Sequence, residues 1–495
     1  MTLFRSAVLA ASFAVLAACS GKATNPYLLP TTTDLVFEVS DEALNTCLTN
    51  LAIVYQYDDL SEITSVTCNN KGVASLEGIN TLTGLTSLNV EGNNISDLSP
   101  LNSMTQMSAL NLSGNPFSDI SALSELTALT YLNLDDSGVN DIMAIAALTE
   151  LSALYINNLS LSDISSLNNL AALEILQLRD NQVSDITALA GKPALTVLSV
   201  DNNLISDLSP LSDATAMGAI SLNNNKVSDI SPLVSMEGLF NLDADDNNIS
   251  DISSLSTLVD LTRLSLRNNN VSDISALSTL IQVTYLDLIG NQVTDLSVLA
   301  DVTALRQLLL GDNNIADISA LQDLTSLTLL NLSNNSISDI SAIAGNTGLV
   351  TLGLSNNPVS DLSPISEMLA LNYLSIDGTN TSDLSAISAL TVLKTLVMNA
   401  TANSDLTPLS DMTLLTILEA ASTPINDISS LVQNVNLKKV DLTDTLVTDI
   451  SALAELTLLD ELILTGANDL DCTTVSTLQT ALPDIQILLP VHCSN

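Results

Sequence analysis

The chain has 495 residues, of which 46% are hydrophobic but only 2% aromatic and none Trp, so any interior must be filled by aliphatic side chains. Against 12 Lys and Arg stand 55 Asp and Glu, a formal charge of −43, which excludes nucleic acid as a partner because phosphates are neutralised by Lys and Arg. The single His, His492, and the lack of Gly-x-x-x-x-Gly-Lys, Gly-x-Ser-x-Gly and His-Glu-x-x-His patterns remove the usual acid–base, phosphate-binding and metal-hydrolase machinery.

In chain order, the first element is a positive residue, Arg5, followed by an apolar run from Ala7 to Ala18 and then Cys19. The run is too short to cross a bilayer, which needs about 20 apolar residues, and it reads as a signal peptide over residues 1–18. The small residues before Cys19 resemble a bacterial lipobox, which implies that Cys19 becomes the acylated N-terminus and anchors the protein to a membrane. Ser20 follows it, and by the same resemblance to lipoproteins of diderm bacteria this points to export to the cell envelope and the outer membrane. Residues 19–33, with Pro26, Pro30 and a Thr run, read as a tether. The mature chain keeps 11 basic and all 55 acidic residues.

An N-terminal cap is expected over residues 34–80. Val39 to Tyr57 carries Ser40-Asp41-Glu42 ahead of an apolar periodicity, a capped helix, and Ile63 to Cys68 reads as a strand. From there a strict period of 22 residues takes over, with full repeats over 81–465. Asp recurs at 97, 119, 141, 163, 185, 207, 229, 251, 273, 295, 317, 339, 361, 383, 405, 427, 449 and 471 without an insertion. Leu, Ile or Val stands nine residues before each Asp, and another inward-facing residue, apolar in most repeats, stands seven before. This alternation marks a short strand. Four before stands Asn in most repeats, for example Asn93, Asn115 and Asn269; buried amides there can serve the backbone of neighbouring turns. Thr takes that slot at Thr379, Thr401, Thr423 and Thr445, and the apolar slot two residues later holds Thr381 and Asn403, which predicts a looser stretch. A C-terminal cap is expected over 466–495, as an amphipathic turn or two after Cys472 and a terminal strand ending at Cys493.

With these columns in register, residues 63–471 resemble the bacterial leucine-rich repeats of internalin-like proteins. The resemblance implies an α/β solenoid: a curved, right-handed array with a parallel β-sheet on its concave face and short turns or 3₁₀ segments on its convex face. A solenoid must cap both ends. Its ends lie tens of ångströms apart, whereas bridged Cα atoms lie within about 7 Å, so Cys47 should pair with Cys68 and Cys472 with Cys493. The Asp column is read as capping the one-turn helices that follow it, with Pro three residues on at 100, 210, 232, 364 and 408. A row of carboxylates sharing Ca²⁺ is the lesser reading, and no cofactor is expected.

Function is then left to the strand residues ten, eight and six before each Asp, which point away from the core. They include Tyr131, Tyr155, Arg179, Asp243, Asp245, Arg263, Arg267, Tyr285, Asp287 and Tyr373. Tyr and Arg are enriched at interface hot spots, and the resemblance implies binding of a protein or other macromolecule, for adhesion or recognition, by a chain that is not an enzyme. Two alternatives stay open: an envelope coat or spacer with no dedicated ligand, and a glycan-binding or glycan-processing protein, since paired carboxylates could in principle serve a glycosidase.

Overall fold

The computed structural model describes residues 34–493. The expected signal peptide, acylated Cys19 and tether, over residues 1–33, lie outside the described residues. The described residues divide into two compact units, one ending at Leu239 and the other beginning at Phe240.

In the first unit, helix α1 (Glu42–Tyr55) begins where Asp41 accepts a hydrogen bond from the Leu44 N–H at 2.8 Å. The other oxygen of the same carboxylate accepts from the N–H groups of Ala74 and Ser75 at 2.8 and 3.1 Å. One side chain thus caps the helix and ties it to the chain beyond β1 (Ser65–Thr67). The disulfide Cys47–Cys68, with Cα atoms 5.9 Å apart, adds the covalent tie. Strands β1 to β8 (Ala219–Ser221) are each three residues long and pair in parallel with a shift of one period, Val66 facing Leu88 and Leu88 facing Leu110. The central residue of each strand is buried. Strands this short depend on the layers beneath them rather than on their own ladder.

The second unit repeats the plan from β9 (Asn241–Asp243) to β19 (Glu461–Ile463). Helix α2 (Cys472–Ala481), capped by Asp471 through the Thr473 N–H, then leads to β20 (Gln486–Leu488) on the edge of β19. The disulfide Cys472–Cys493 closes this end with Cα atoms 5.3 Å apart. The terminal strand is shorter than expected: it ends at Leu488, and after Pro490 the residues Val491–Cys493 form a 3₁₀ turn, with the Cys493 N–H donating to the Pro490 carbonyl. Proline fixes φ and lacks the ladder donor. Among the described residues, no helix is long and apolar enough to cross a membrane.

Three columns hold the repeats. The Asn column works between repeats: the Asn115 amide donates to the carbonyls of Leu112 and Val90, both at 2.9 Å, while its oxygen accepts from the Ile95 N–H at 3.0 Å. Asn269 in the second unit does the same with Leu266, Ala244 and Ile249. The Asp column works within a repeat. Asp97 accepts from the Ser99 N–H and Asp273 from the Ser275 N–H, each at 2.8 Å, at the mouth of a 3₁₀ turn. The Ser99 N–H holds the Asp97 carboxyl below its ordinary range. Among the described residues, no three of these carboxylates come within 4.8 Å of one another.

The third column is visible in the sequence as Asn, Asp or Gly five residues before most of the Asp, with Ala400 and Ser422 as the exceptions. Its members adopt positive φ, as at Asp136, Asn158, Asp180 and Asn202, a conformation that Asn and Asp tolerate and Gly adopts freely. Their side chains also stack, Asn158 donating to Asp136 and Asn202 to Asp180 at 2.8 and 2.7 Å. At Gly92, with φ of 66°, any Cβ would strike the Asn70 side chain.

The Thr run behaves as half an Asn column. Thr379, Thr401, Thr423 and Thr445 each donate to the carbonyl three residues back, at Ile376, Met398, Ala420 and Leu442. Asn403 replaces an aliphatic core residue; it donates to Thr381 and Thr401, and its buried oxygen has no partner among the described residues. Another polar intrusion fills a slot that holds Met104 or Met236 elsewhere. Lys192, 1% exposed, spends its ammonium on the carbonyls of Leu167, Asn168 and Leu170, and burial lowers its pKa.

Candidate binding face

The strand geometry sends alternate side chains to the outer face of the sheet, and the 22-residue register stacks them into rows along each unit. In the first unit β4 (Tyr131–Asn133) and β5 (Ala153–Tyr155) bring Tyr131 and Tyr155, from adjacent rows, together, ring centroids 5.4 Å apart and tilted by 43°. Beside them runs a polar chain. Asp135 accepts from the backbone N–H and side-chain amide of Asn157 at 2.7 and 3.0 Å; the Asn157 oxygen accepts from the Arg179 N–H at 2.7 Å; Arg179 donates to Gln177 at 3.3 Å. Burial raises the Tyr131 hydroxyl pKa.

Burial also pushes the Asp135 carboxyl up to about 6, against the opposing pull of its bonds from Asn157. Because the folded pKa exceeds the unfolded value of 3.8, the native state takes up a proton first as pH falls. The associated stability is therefore present below pH 4 and is lost as pH rises through about 6. Urea unfolding of the wild type is expected to lose about 2 kcal/mol from this group between those limits, allowing for its partial contact with water. Asp135→Asn should flatten that slope, and an unchanged slope would show that the carboxyl titrates normally.

In the second unit β10 (Arg263–Ser265) and β11 (Tyr285–Asp287) carry the densest cluster. The Arg263 guanidinium lies 3.6 Å from the centre of the Tyr285 ring and 3.0 Å from Asp243. Tyr285 donates to Asp287 at 3.3 Å, and Asp245 accepts from the Ser265 hydroxyl and the Arg267 N–H at 2.6 and 2.8 Å. Burial raises the carboxyl pKa of both Asp245 and Asp287. Arg267 is exposed, and among the described residues its guanidinium has no hydrogen-bond partner.

The expected residues thus fall into two clusters, Tyr131, Tyr155 and Arg179 in one unit and Asp243, Asp245, Arg263, Arg267, Tyr285 and Asp287 in the other, with Tyr373 standing apart on β15 (Tyr373–Ser375). Two of them differ from the open surface position expected. Tyr155 and Asp287 are only 7% and 5% exposed, because strands at the parallel-sheet spacing of about 4.8 Å let large neighbours cover one another sideways. Asp135, Asn157 and Gln177 were not among the expected site residues, although they occupy the same outward positions. The Lys439–Glu419 ion pair, at 2.8 Å, lies on the same face.

The family described as leucine-rich repeats, two copies, matches residues 259–301, 303–345 and 325–367. An internalin of Listeria monocytogenes, InlF, is 29% identical over 72% of this chain and 94% of its own, with a TM-score of 0.51. The chain is a leucine-rich-repeat protein, similar to the internalins. This leucine-rich-repeat chain also shares its fold with a leucine-rich-repeat protein of Leptospira interrogans, at 17% identity over 87% of this chain and 96% of that one, TM-score 0.57. A plant peptide hormone receptor, RGFR1, solved with RGF2, is 19% identical over 83% and 79% of the two chains, TM-score 0.64. The sequence matches no curated protein.

Proposed function

We propose that this chain is a non-catalytic binding protein of the bacterial cell envelope, held there through an acylated Cys19, which captures a protein partner on the outer face of its sheet with Arg263, Arg267, Tyr285 and Asp287 at the centre of the contact. The observation that carries the reading is the pre-assembled cluster on β10 and β11. Arg263 is fixed between Asp243 and Tyr285, so the face meets a partner already ordered, while Arg267 beside it keeps an unspent guanidinium. Pre-organisation lowers the entropy lost on association, and Arg and Tyr anchors dominate interface energetics. The other columns are occupied by the core, the turns and the capping bonds, which leaves this face for recognition. Leucine-rich-repeat proteins of this fold include a receptor solved with a peptide hormone, which supports a protein or peptide as the partner class.

Replacing Arg267 and Tyr285 together by alanine is expected to weaken partner capture at least a hundredfold while leaving the thermal transition in place, because neither side chain supports the core. Capture unchanged by the double substitution would remove this patch from the contact.

A further inference from the structure

The outer face changes character between Tyr285 and Tyr373. Strands β12 (Gln307–Leu309), β13 (Leu329–Asn331) and β14 (Thr351–Gly353) pair in register, so Gln307, Leu329 and Thr351 form one row and Leu309, Asn331 and Gly353 the next. The third row is Gly311, Ser333 and Ser355. In a chain carrying 55 acidic residues, these three consecutive repeats place no charge on this face. Both glycines found among the outward strand positions of the repeats fall here, at Gly311 and Gly353, and they lower the floor between two tyrosines.

The floor also carries unspent hydrogen-bonding groups. The Asp135–Asn157–Gln177–Arg179 chain and the Arg263–Tyr285–Asp287 cluster spend most of their polarity on one another. Here the exposed Gln307 amide, the Asn331 amide nitrogen and the hydroxyls of Ser333 and Thr351 have no hydrogen-bond partner among the described residues, the Asn331 oxygen alone being engaged by the Ser333 N–H. At one end Tyr373 is 37% exposed. At the other, Arg263 covers one face of the Tyr285 ring. Leu309 and Leu329 are half-buried between them.

We propose that this floor binds an uncharged oligosaccharide. A sugar presents hydroxyls that both donate and accept, matching amides and hydroxyls, and apolar C–H faces that pack on leucine and on tyrosine rings, whose bodies are apolar and tips polar. Four strand spacings separate Tyr285 from Tyr373, about 19 Å, the length of about four linked sugar rings. The protein contact proposed above is built on charged residues of β9 to β11, and the floor has none.

The test uses the full mature chain and three neutral probes, maltotetraose, cellotetraose and N,N′,N″,N‴-tetraacetylchitotetraose, titrated by calorimetry and observed by saturation-transfer NMR. At least one should bind with a dissociation constant of about 1 mM or tighter. Tyr373→Ala should weaken it about tenfold. Gly311→Leu should abolish it by filling the floor; the nearest atoms to a Cβ there are at 3.4 Å, an ordinary contact, so the fold is retained. Tyr373→Ala removes an exposed side chain and keeps the test decisive should Gly311→Leu fail to fold. Absence of binding by all three probes, or binding that survives Tyr373→Ala and a folded Gly311→Leu, would overturn the proposal, as would a peptide occupying the floor in preference to every sugar.

Discussion

Asn115→Ala is expected to destabilise the first unit by about 3 to 5 kcal/mol. The side chain is 1% exposed and serves two groups that have no other partner among the described residues: the Ile95 N–H, which donates to its oxygen, and the Leu112 carbonyl, which accepts from its nitrogen. The Val90 carbonyl also accepts from Asn93 and would stay paired. Two buried groups left unmade cost about 1 to 3 kcal/mol each, and the cavity adds to this. Asn115→Thr should cost about half as much. A threonine hydroxyl can reach the carbonyl three residues back, as Thr379 and Thr401 do, but it offers nothing to the Ile95 N–H. Hydrogen exchange at Ile95 and its neighbours reads both values as local opening free energies. A loss below about 1 kcal/mol for alanine would mean that water replaces the amide and that the Asn column is not the tie between repeats.

Removing the N-terminal disulfide by Cys47→Ser with Cys68→Ser is expected to cost about 3 kcal/mol, from the entropy regained by a loop whose ends are 21 residues apart. In a repeat protein each layer rests on its neighbours, so the loss should begin at the open end. Exchange should rise first in α1 and β1, then β2 (Ser87–Asn89), and fade along the first unit. Uniform loss of protection through the unit would instead indicate that the cap is part of one cooperative core. Asp41 still joins helix α1 to Ala74 and Ser75 in this variant, so it should retain a folded cap under native conditions.

The fold was legible because its constraints repeat. A Leu that recurs every 22 residues has one explanation, a stacked core, and the position of each strand and each turn follows from it. The two disulfides were legible for the same reason, since the array separates the four cysteines into two pairs. The column five residues before each Asp was equally present in the sequence as mostly Asn, Asp and Gly, but its meaning depends on φ, which no residue pattern states outright and which Ala400 and Ser422 share. Lys192, Asn346 and Asn434 break an apolar slot and are nonetheless fully buried; only the positions of nearby carbonyls explain how that is tolerated.

The candidate site was legible as a set of positions and not as a set of interactions. Residue spacing placed Arg263, Tyr285 and Asp287 on one face, but the stacking of Arg263 on Tyr285 and the burial of Asp287 depend on side-chain packing across three strands. The same packing hid Tyr155. The uncharged floor from Gln307 to Ser355 carries no motif in the sequence, because its signal is a lack of charge and side-chain bulk over three successive repeats. Only when the self-satisfied clusters around it are known does its unspent polarity become informative.

The central claim, that recognition belongs to the strand face and structure to the other columns, is tested most directly by placing a photo-crosslinking residue at successive exposed positions and exposing each variant to the bound partner. Adducts are expected from Arg267 and its neighbours on the outer face of β9 to β11, and none from the 3₁₀ turns at Ser253–Thr257 and Ser275–Thr279. Equal or stronger crosslinking from those turns would contradict the account.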